Sequence, residues 1–245
     1  MEKESFIREQ IKENTGIEID DQKCKSLLQY YEMIIEKNKV MNLTAITEFE
    51  EFVIKHFVDS LFLVKVMDPE NKKLKLIDIG TGAGFPGIPL KIVYPELDIT
   101  LFDSLQKRLT FLDEVIMKLG LKNICTVHGR AEEFGRKLDY REKYDIVVSR
   151  AVAELTTLSE LTLPFCRIGG RFVAYKGGKG SEELKNSEYA IKELGGKIGK
   201  SCEYSISTSG VANERSLIEI CKTKNTPMKY PRGGGKPFKA PLHIV

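Results

Sequence analysis

The stretch LIDIGTGAGFPGIPL, residues 76–90, decides how the rest of this chain is read. Its first residues are an apolar run carrying one acid, Asp78, the pattern of a strand buried on both faces. Glycines then crowd a turn at Gly80, Gly82, Gly84 and Gly87. Pro89 follows where the first turn of a helix tolerates it. A strand, a glycine-rich turn and a helix form a frame that holds nucleotide cofactors. Gly82-x-Gly84-x-x-Gly87 satisfies the dinucleotide fingerprint. Asp103 lies about twenty residues on, where an acid binds ribose hydroxyls. Taken at face value, that pattern gives a nicotinamide oxidoreductase.

Asp78 argues against it. A dinucleotide sets its pyrophosphate on the helix N-terminus after this strand, and a carboxylate at the strand end repels phosphate. S-adenosylmethionine carries no phosphate, and its sulfonium and α-ammonium are both cations. An acidic strand end followed by Gly80, Gly82 and Gly84 therefore fits S-adenosylmethionine better. The glycines let the backbone approach its methionine portion, and Asp103 holds its ribose. The competing reading is that Asp78 only caps the turn.

Outward from this stretch the chain divides into three parts. Residues 1–72 read as a helical N-terminal extension. Asp20 and Asp21 cap a helix that places Cys24, Leu27, Leu28, Tyr31, Ile34 and Ile35 on one face. A second helical stripe runs from Phe49 through Phe52, Val53, His56, Phe57 and Leu61 to Val64. Asp68-Pro69-Glu70-Asn71 ends it. In residues 73–224, β-rich runs alternate with amphipathic segments: LKLIDIG, DITLFDS, NICTVHG, YDIVVSRA and GRFVAYKG. This alternation gives an α/β fold with right-handed crossovers and a mostly parallel sheet covered by helices on both faces. KSCEYSIS and RSLIEICKT add an antiparallel pair at the edge. Residues 225–245 hold Lys, Pro and Gly without an acid, and read as an extended basic tail that does not pack.

The bulk numbers set limits. Hydrophobic residues make up 42 % of the 245 and charged residues 30 %, enough for a large core under a solvated surface. Five scattered cysteines form no CxxC pair, and there are three histidines, so neither a disulfide framework nor a metal site is expected. No apolar run is long enough for a membrane span, and MEKESFIREQ lacks the apolar core of a signal peptide. A cytoplasmic monomer is expected.

The motifs DIGTGAGFPGIPL, LFDSLQKRLTFL, GRAEEF, VVSRAVAEL and YKG, in this order, resemble those of the bacterial small-subunit ribosomal RNA guanine-N7 methyltransferase family, also called glucose-inhibited division protein B. NLTAIT and KHFVDSL match its N-terminal region, so the resemblance covers nearly the whole chain. It implies a class I methyltransferase (Rossmann-like) fold with a seven-stranded sheet. By motif match it assigns Gly80, Phe85, Ala131 and Glu132 to the cofactor, and it places Arg150 at the site. Asp78, Gly82, Gly84 and Asp103 complete the expected cofactor set. The bland alternatives are a helix-start acid for Glu132, a core ring for Phe85, an ion-pair arginine for Arg150 and a satisfied core histidine for His56.

The residues also limit the chemistry. Methylation of an exocyclic amine usually uses an N/D-P-P-aromatic motif after the fourth strand, where this chain has Ser149-Arg150-Ala151-Val152. Cytosine C5 chemistry needs a cysteine nucleophile at that point, and Cys166 lies well downstream. Guanine N7 needs neither device, because its lone pair is already nucleophilic. Arg150 then positions the base or its phosphate, with Lys176 and His56 as further candidates at the catalytic site. Phosphate contacts are expected from Lys107, Arg108, Lys176, Lys179, Lys229, Arg232, Lys236 and Lys239. The resemblance implies 16S ribosomal RNA of the small subunit as partner, with the target guanine in the decoding-region loop. A small-molecule methyltransferase and a non-enzymatic ribosome-assembly protein are the competing readings.

Overall fold

A computed structural model describes residues 2–69, 73–208 and 211–243. Glu70 and Asn71 of the expected break, the boundary at residue 72 and the last two residues of the tail lie outside the described residues. The seven strands are β1 (Lys75–Ile79), β2 (Asp98–Asp103), β3 (Ile124–His128), β4 (Tyr144–Arg150), β5 (Cys166–Gly177), β6 (Gly196–Thr208) and β7 (Val211–Lys222). They form one sheet in the order β3-β2-β1-β4-β5-β7-β6. β1 to β5 pair in parallel with one another; β7 runs antiparallel between β5 and β6. The seven-stranded sheet expected from the sequence is therefore present, with its antiparallel pair at the edge.

The chain reverses direction across the sheet between β1 and β4. At such a switch point the strand C-termini open a crevice, and in open α/β sheets ligands bind there. The period of two decides which side chains face which layer. In β1, Leu76 joins the core under the N-terminal helices, while Ile77 and Ile79 join the core on the other face. The linking helices are α5 (Gly87–Val93), α6 (Gln106–Leu119), α7 (Ala131–Phe134), α8 (Leu155–Thr162) and α9 (Gly180–Glu193). Gly120 ends α6 in the left-handed conformation, φ 63°, which a residue with a Cβ adopts only at a cost.

The extension contributes α1 (Glu2–Thr15) and α2 (Asp21–Asn38), the latter capped by the Asp20 carboxylate on Lys23 N at 2.8 Å. It buries Cys24, Leu27, Tyr30, Tyr31 and Ile34. Next comes a composite helix: α3 (Phe49–Phe52), a π-helical segment (Val53–Val58), α4 (Asp59–Leu61) and a 3₁₀ turn (Phe62–Lys65). These helices share one continuous core with α5, α6 and the adjacent face of the sheet. Among the described residues no helix is long and apolar enough to cross a membrane.

The tail corrects the expectation of an extended, unpacked segment. Thr226, Tyr230, Pro231 and Pro237 are buried. Arg141 donates to the carbonyls of Thr226 and Tyr230, and Arg136 to that of Pro231. Arg232 makes a bidentate pair with Glu160, which is fully buried on α8, and donates its backbone amide to the same carboxylate. Composition missed this because the residues that bind the tail, Arg141 and Glu160, lie far from it in sequence. Beyond the pair, α10 (Lys236–Lys239) rests on α8, where Thr157 Oγ1 donates to Pro237 O at 2.9 Å.

Arg232→Ala strands the Glu160 carboxylate in the core without its partner. It should lower unfolding stability by about 3 kcal/mol in urea titrations. Neutralising the exposed Lys239 nearby should change it by less than about 0.5 kcal/mol.

Candidate active site

Two cavities open over the strand ends, and both are walled by Ala151, which follows β4 with φ 56°. The first, about 310 Å³, is lined by Gly80, Asp103, Ala131, Glu132 and Val152 among others. It lies over the ends of β1, β2 and β3. The second, about 370 Å³, lies between the composite helix and the ends of β4 and β5. Its walls include Lys55, His56, Asp59, Arg150, Lys176 and Glu183.

The glycine loop is held from three sides. Asp78 lines neither cavity; it is fully buried behind the loop. Its Oδ2 accepts from Thr81 Oγ1 at 2.7 Å and from Gly87 N at 2.9 Å. This is the turn-tying role that stood as its alternative. Its Oδ1 has no partner, and burial raises the carboxyl pKa to about 6. On the second side, Asp103 accepts from Gly82 N and Leu105 N, each at 2.9 Å. On the third, Tyr30 of α2 donates to Ala83 O. The glycines differ in purpose. At Gly80, φ 74°, a Cβ would collide with Val152 in the wall of the first cavity. At Gly84, φ 102°, it would collide with Tyr30, so Gly84 serves helix packing.

The first cavity fits S-adenosylmethionine. Asp103 puts a carboxylate, an acceptor for hydroxyl donors, in its wall, and Gly80 lines it where Val152 leaves no room for a Cβ. Ala131 and Glu132 open α7 beside the end of β3. Arg108, expected on RNA, instead lines this cavity and sits 3.6 Å from Asp103.

In the second cavity, Arg150 is tightly organised. Its Nη1 donates to Asp59 Oδ2 at 2.8 Å and to Lys55 O at 3.3 Å. The Asp59 Oδ1 accepts from Tyr204 Oη at 2.8 Å. Arg150 Nη2 lies 3.2 Å from His56 Nδ1, and the guanidinium covers the Phe85 ring at 4.9 Å. A guanidinium only donates, so His56 Nδ1 accepts and Nε2 carries the proton. That proton goes to Thr44 Oγ1 at 2.9 Å. Burial, then the charges of Arg150 and Lys55, lower the His56 pKa to about 2. Phe85 lines neither cavity. It stacks on His56 at 4.4 Å and packs against Tyr30, Phe52 and Phe57. Lys176 is in the wall but committed, to Ala153 O at 2.7 Å and Glu183 at 2.6 Å.

The remaining basic residues are dispersed. Lys107 lies in the first turn of α6 and Lys179 caps α9; Lys236 and Lys239 bracket α10. All four are exposed. Lys229 pairs with Glu193 at 2.9 Å. Sequence reasoning missed Asp59, Tyr204 and Glu183. Asp59 stood inside the matched KHFVDSL, but an isolated acid on an apolar helix carries no signal until its partner across the fold is known. Among the described residues no cluster of His, Cys, Asp and Glu could hold a metal ion.

The strand order and the first cavity together define a class I S-adenosylmethionine-dependent methyltransferase. Solved structures agree on the fold. A precorrin-6y C5,15-methyltransferase from Geobacter metallireducens superposes with TM-score 0.50, 17 % identity, and coverage of 73 % of this chain and 90 % of that one. TrmN from Thermus thermophilus gives 0.52 and 17 %, over 69 % and 53 %. Within that class, residues 23–204 match the profile of the rRNA small subunit methyltransferase G family, and the chain belongs to that family. A Ribosomal RNA small subunit methyltransferase G from Lachnoclostridium phytofermentans is 54 % identical over 93 % of both chains. One from Acetivibrio thermocellus is 50 % identical over 98 % of this chain and 99 % of its own.

The pH dependence of stability carries the mark of His56. Its folded pKa lies below the unfolded value of 6.5, so its contribution is present above pH 6.5 and is lost as pH falls towards 2. Asp78, raised from 3.8 to about 6, acts oppositely: its contribution is present at low pH and is lost as pH rises through 6. His56→Gln should therefore flatten the loss of stability below pH 6.5. The slope should fall by up to about 1.4 kcal/mol per pH unit in denaturant titrations.

Proposed function

We propose that this protein methylates N7 of a guanine in 16S ribosomal RNA, with S-adenosylmethionine as donor. The named activity of its relatives supports a ribosomal RNA substrate. The observation that carries the choice of atom is the commitment of every acid–base group in the second cavity. His56 presents an accepting nitrogen to Arg150 and resists protonation. Both Asp59 oxygens are occupied, by Arg150 and Tyr204. Lys176 is paired with Glu183. Burial pushes the Cys166 thiol up to about 12, so it offers no nucleophile. A site of this kind suits an acceptor that needs no deprotonation, and the ring lone pair of guanine N7 meets that requirement.

S-adenosylmethionine supplies the methyl group as an electrophile when bound. The task of the protein is then alignment. Asp59 and His56 hold the Arg150 guanidinium at the junction of the two cavities, where it orients the base or its phosphate. Lys107, Lys179, Lys236 and Lys239 supply phosphate contacts around the rim. The target guanine in the decoding-region loop comes from the family resemblance.

The deciding assay incubates the protein with methyl-labelled S-adenosylmethionine and small ribosomal subunits from cells lacking this gene, followed by nucleoside separation. Label is expected in 7-methylguanosine. Label in any other nucleoside overturns the N7 reading. Arg150→Ala should lower turnover about 100-fold at every pH. A mutant with near-normal turnover removes Arg150 from the mechanism. Replacing Lys236 and Lys239 together by Ala should make the log–log salt dependence of RNA binding shallower by roughly 1.4, about 0.7 per contact.

A further inference from the structure

Phe238 is an oddity of the surface: a phenyl ring 53 % exposed on a four-residue helix of the C-terminal segment. It is also a wall of the first cavity, facing the same space as Asp103, Ala131 and Glu132. Its place there is built. Arg232 clamps the segment to the buried Glu160, and Thr157 fixes Pro237, the residue just before Phe238, through its carbonyl. Both anchors lie on α8, which also supplies Leu161 to the cavity wall.

We propose that Phe238 is a cofactor-binding residue whose ring packs against the adenine of S-adenosylmethionine. Adenine presents two flat, weakly hydrated faces, and burying them needs apolar walls. The cavity offers Ala131, Val152 and Leu161 from the methyltransferase fold with the buried Phe102, and the tail adds an exposed aromatic ring. A ring half open to water gains most when a flat apolar surface covers it. The C-terminal segment thus completes a site that the glycine loop only begins.

The test reads binding and needs no RNA. In calorimetry with S-adenosylhomocysteine and with adenosine, Phe238→Ala should weaken both by roughly tenfold, the scale of a lost base–aromatic contact. The melting temperature should stay within a degree or two of the parent value, because the ring is half exposed. The chain contains no tryptophan, so Phe238→Trp creates a single tryptophan, excited selectively at the red edge where the nine tyrosines do not absorb. Its fluorescence should respond saturably to S-adenosylhomocysteine and to adenosine, and not to methionine. An unchanged dissociation constant in Phe238→Ala, or an emission indifferent to adenosine, overturns the assignment. Neither outcome touches the choice of guanine N7, which the nucleoside assay decides separately.

Discussion

The pair between Arg150 and Asp59 ties the helical extension to the end of the parallel sheet. Arg150 ends the fourth strand and Asp59 starts a helical turn of the extension. Both side chains are largely buried, at 14 % and 4 % exposure. Buried pairs of this kind contribute little net stability, because desolvation offsets the attraction, whereas losing one partner is costly. Their benefit here is geometric. The carboxylate, the Lys55 carbonyl, the His56 nitrogen and the Phe85 face meet the guanidinium from different directions. The arginine therefore has one orientation over the crevice, and the π-helical segment Val53–Val58 supplies two of those contacts. Such an irregular turn, set inside a helix, often marks a functional position.

The same constraint explains why the extension walls the second cavity. Tyr30 donates to the glycine loop at Ala83 and fills the space that Gly84 leaves. The rings of Tyr30, Phe52, His56 and Phe57 gather on Phe85, the last residue of the loop before its proline. The loop is thus pinned beneath by Asp78, on the β2 side by Asp103 and on the helical side by Tyr30. A cofactor cradle pinned in this way needs no rearrangement to form, which reduces the entropy lost on binding.

Much of this was legible in the sequence, and the boundary has a physical cause. The alternation of strands and helices, the antiparallel edge pair and the crevice at β1 and β4 follow from local patterns, because period and turn chemistry act over a few residues. Candidate residues at the strand ends are legible for the same reason. Asp103, Ala131 and Glu132 line the first cavity, and Gly80 does so with no room for a Cβ. The individual duties were less legible. Asp78 was read as facing the ligand, yet it ties the loop from behind; Phe85 was read as a contact, yet it is the hub of an aromatic cluster. A residue's type sets what it can bind, but its direction depends on partners such as Tyr30 and Thr81, which a local pattern does not assign.

The tail shows the limit most clearly. Its composition, rich in Lys, Gly and Pro and free of acids, is that of a solvated arm, and for Lys236 and Lys239 that description holds. Yet Arg232 in the same segment is spent on Glu160, an acid that a sequence reading would leave on the surface of α8. A buried carboxylate needs a cation or hydrogen-bond donors, and Arg232 gives Glu160 both, so Glu160 requires the tail as much as the tail requires Glu160. The glycines Gly233, Gly234 and Gly235 then let the chain turn at once after that anchor, the last two at φ 68° and 71°. The turn brings Phe238 to the wall of the first cavity, with Lys236 and Lys239 exposed on the same short helix. Two exposed lysines and an apolar ring are thereby carried on one short helix, held by one buried ion pair.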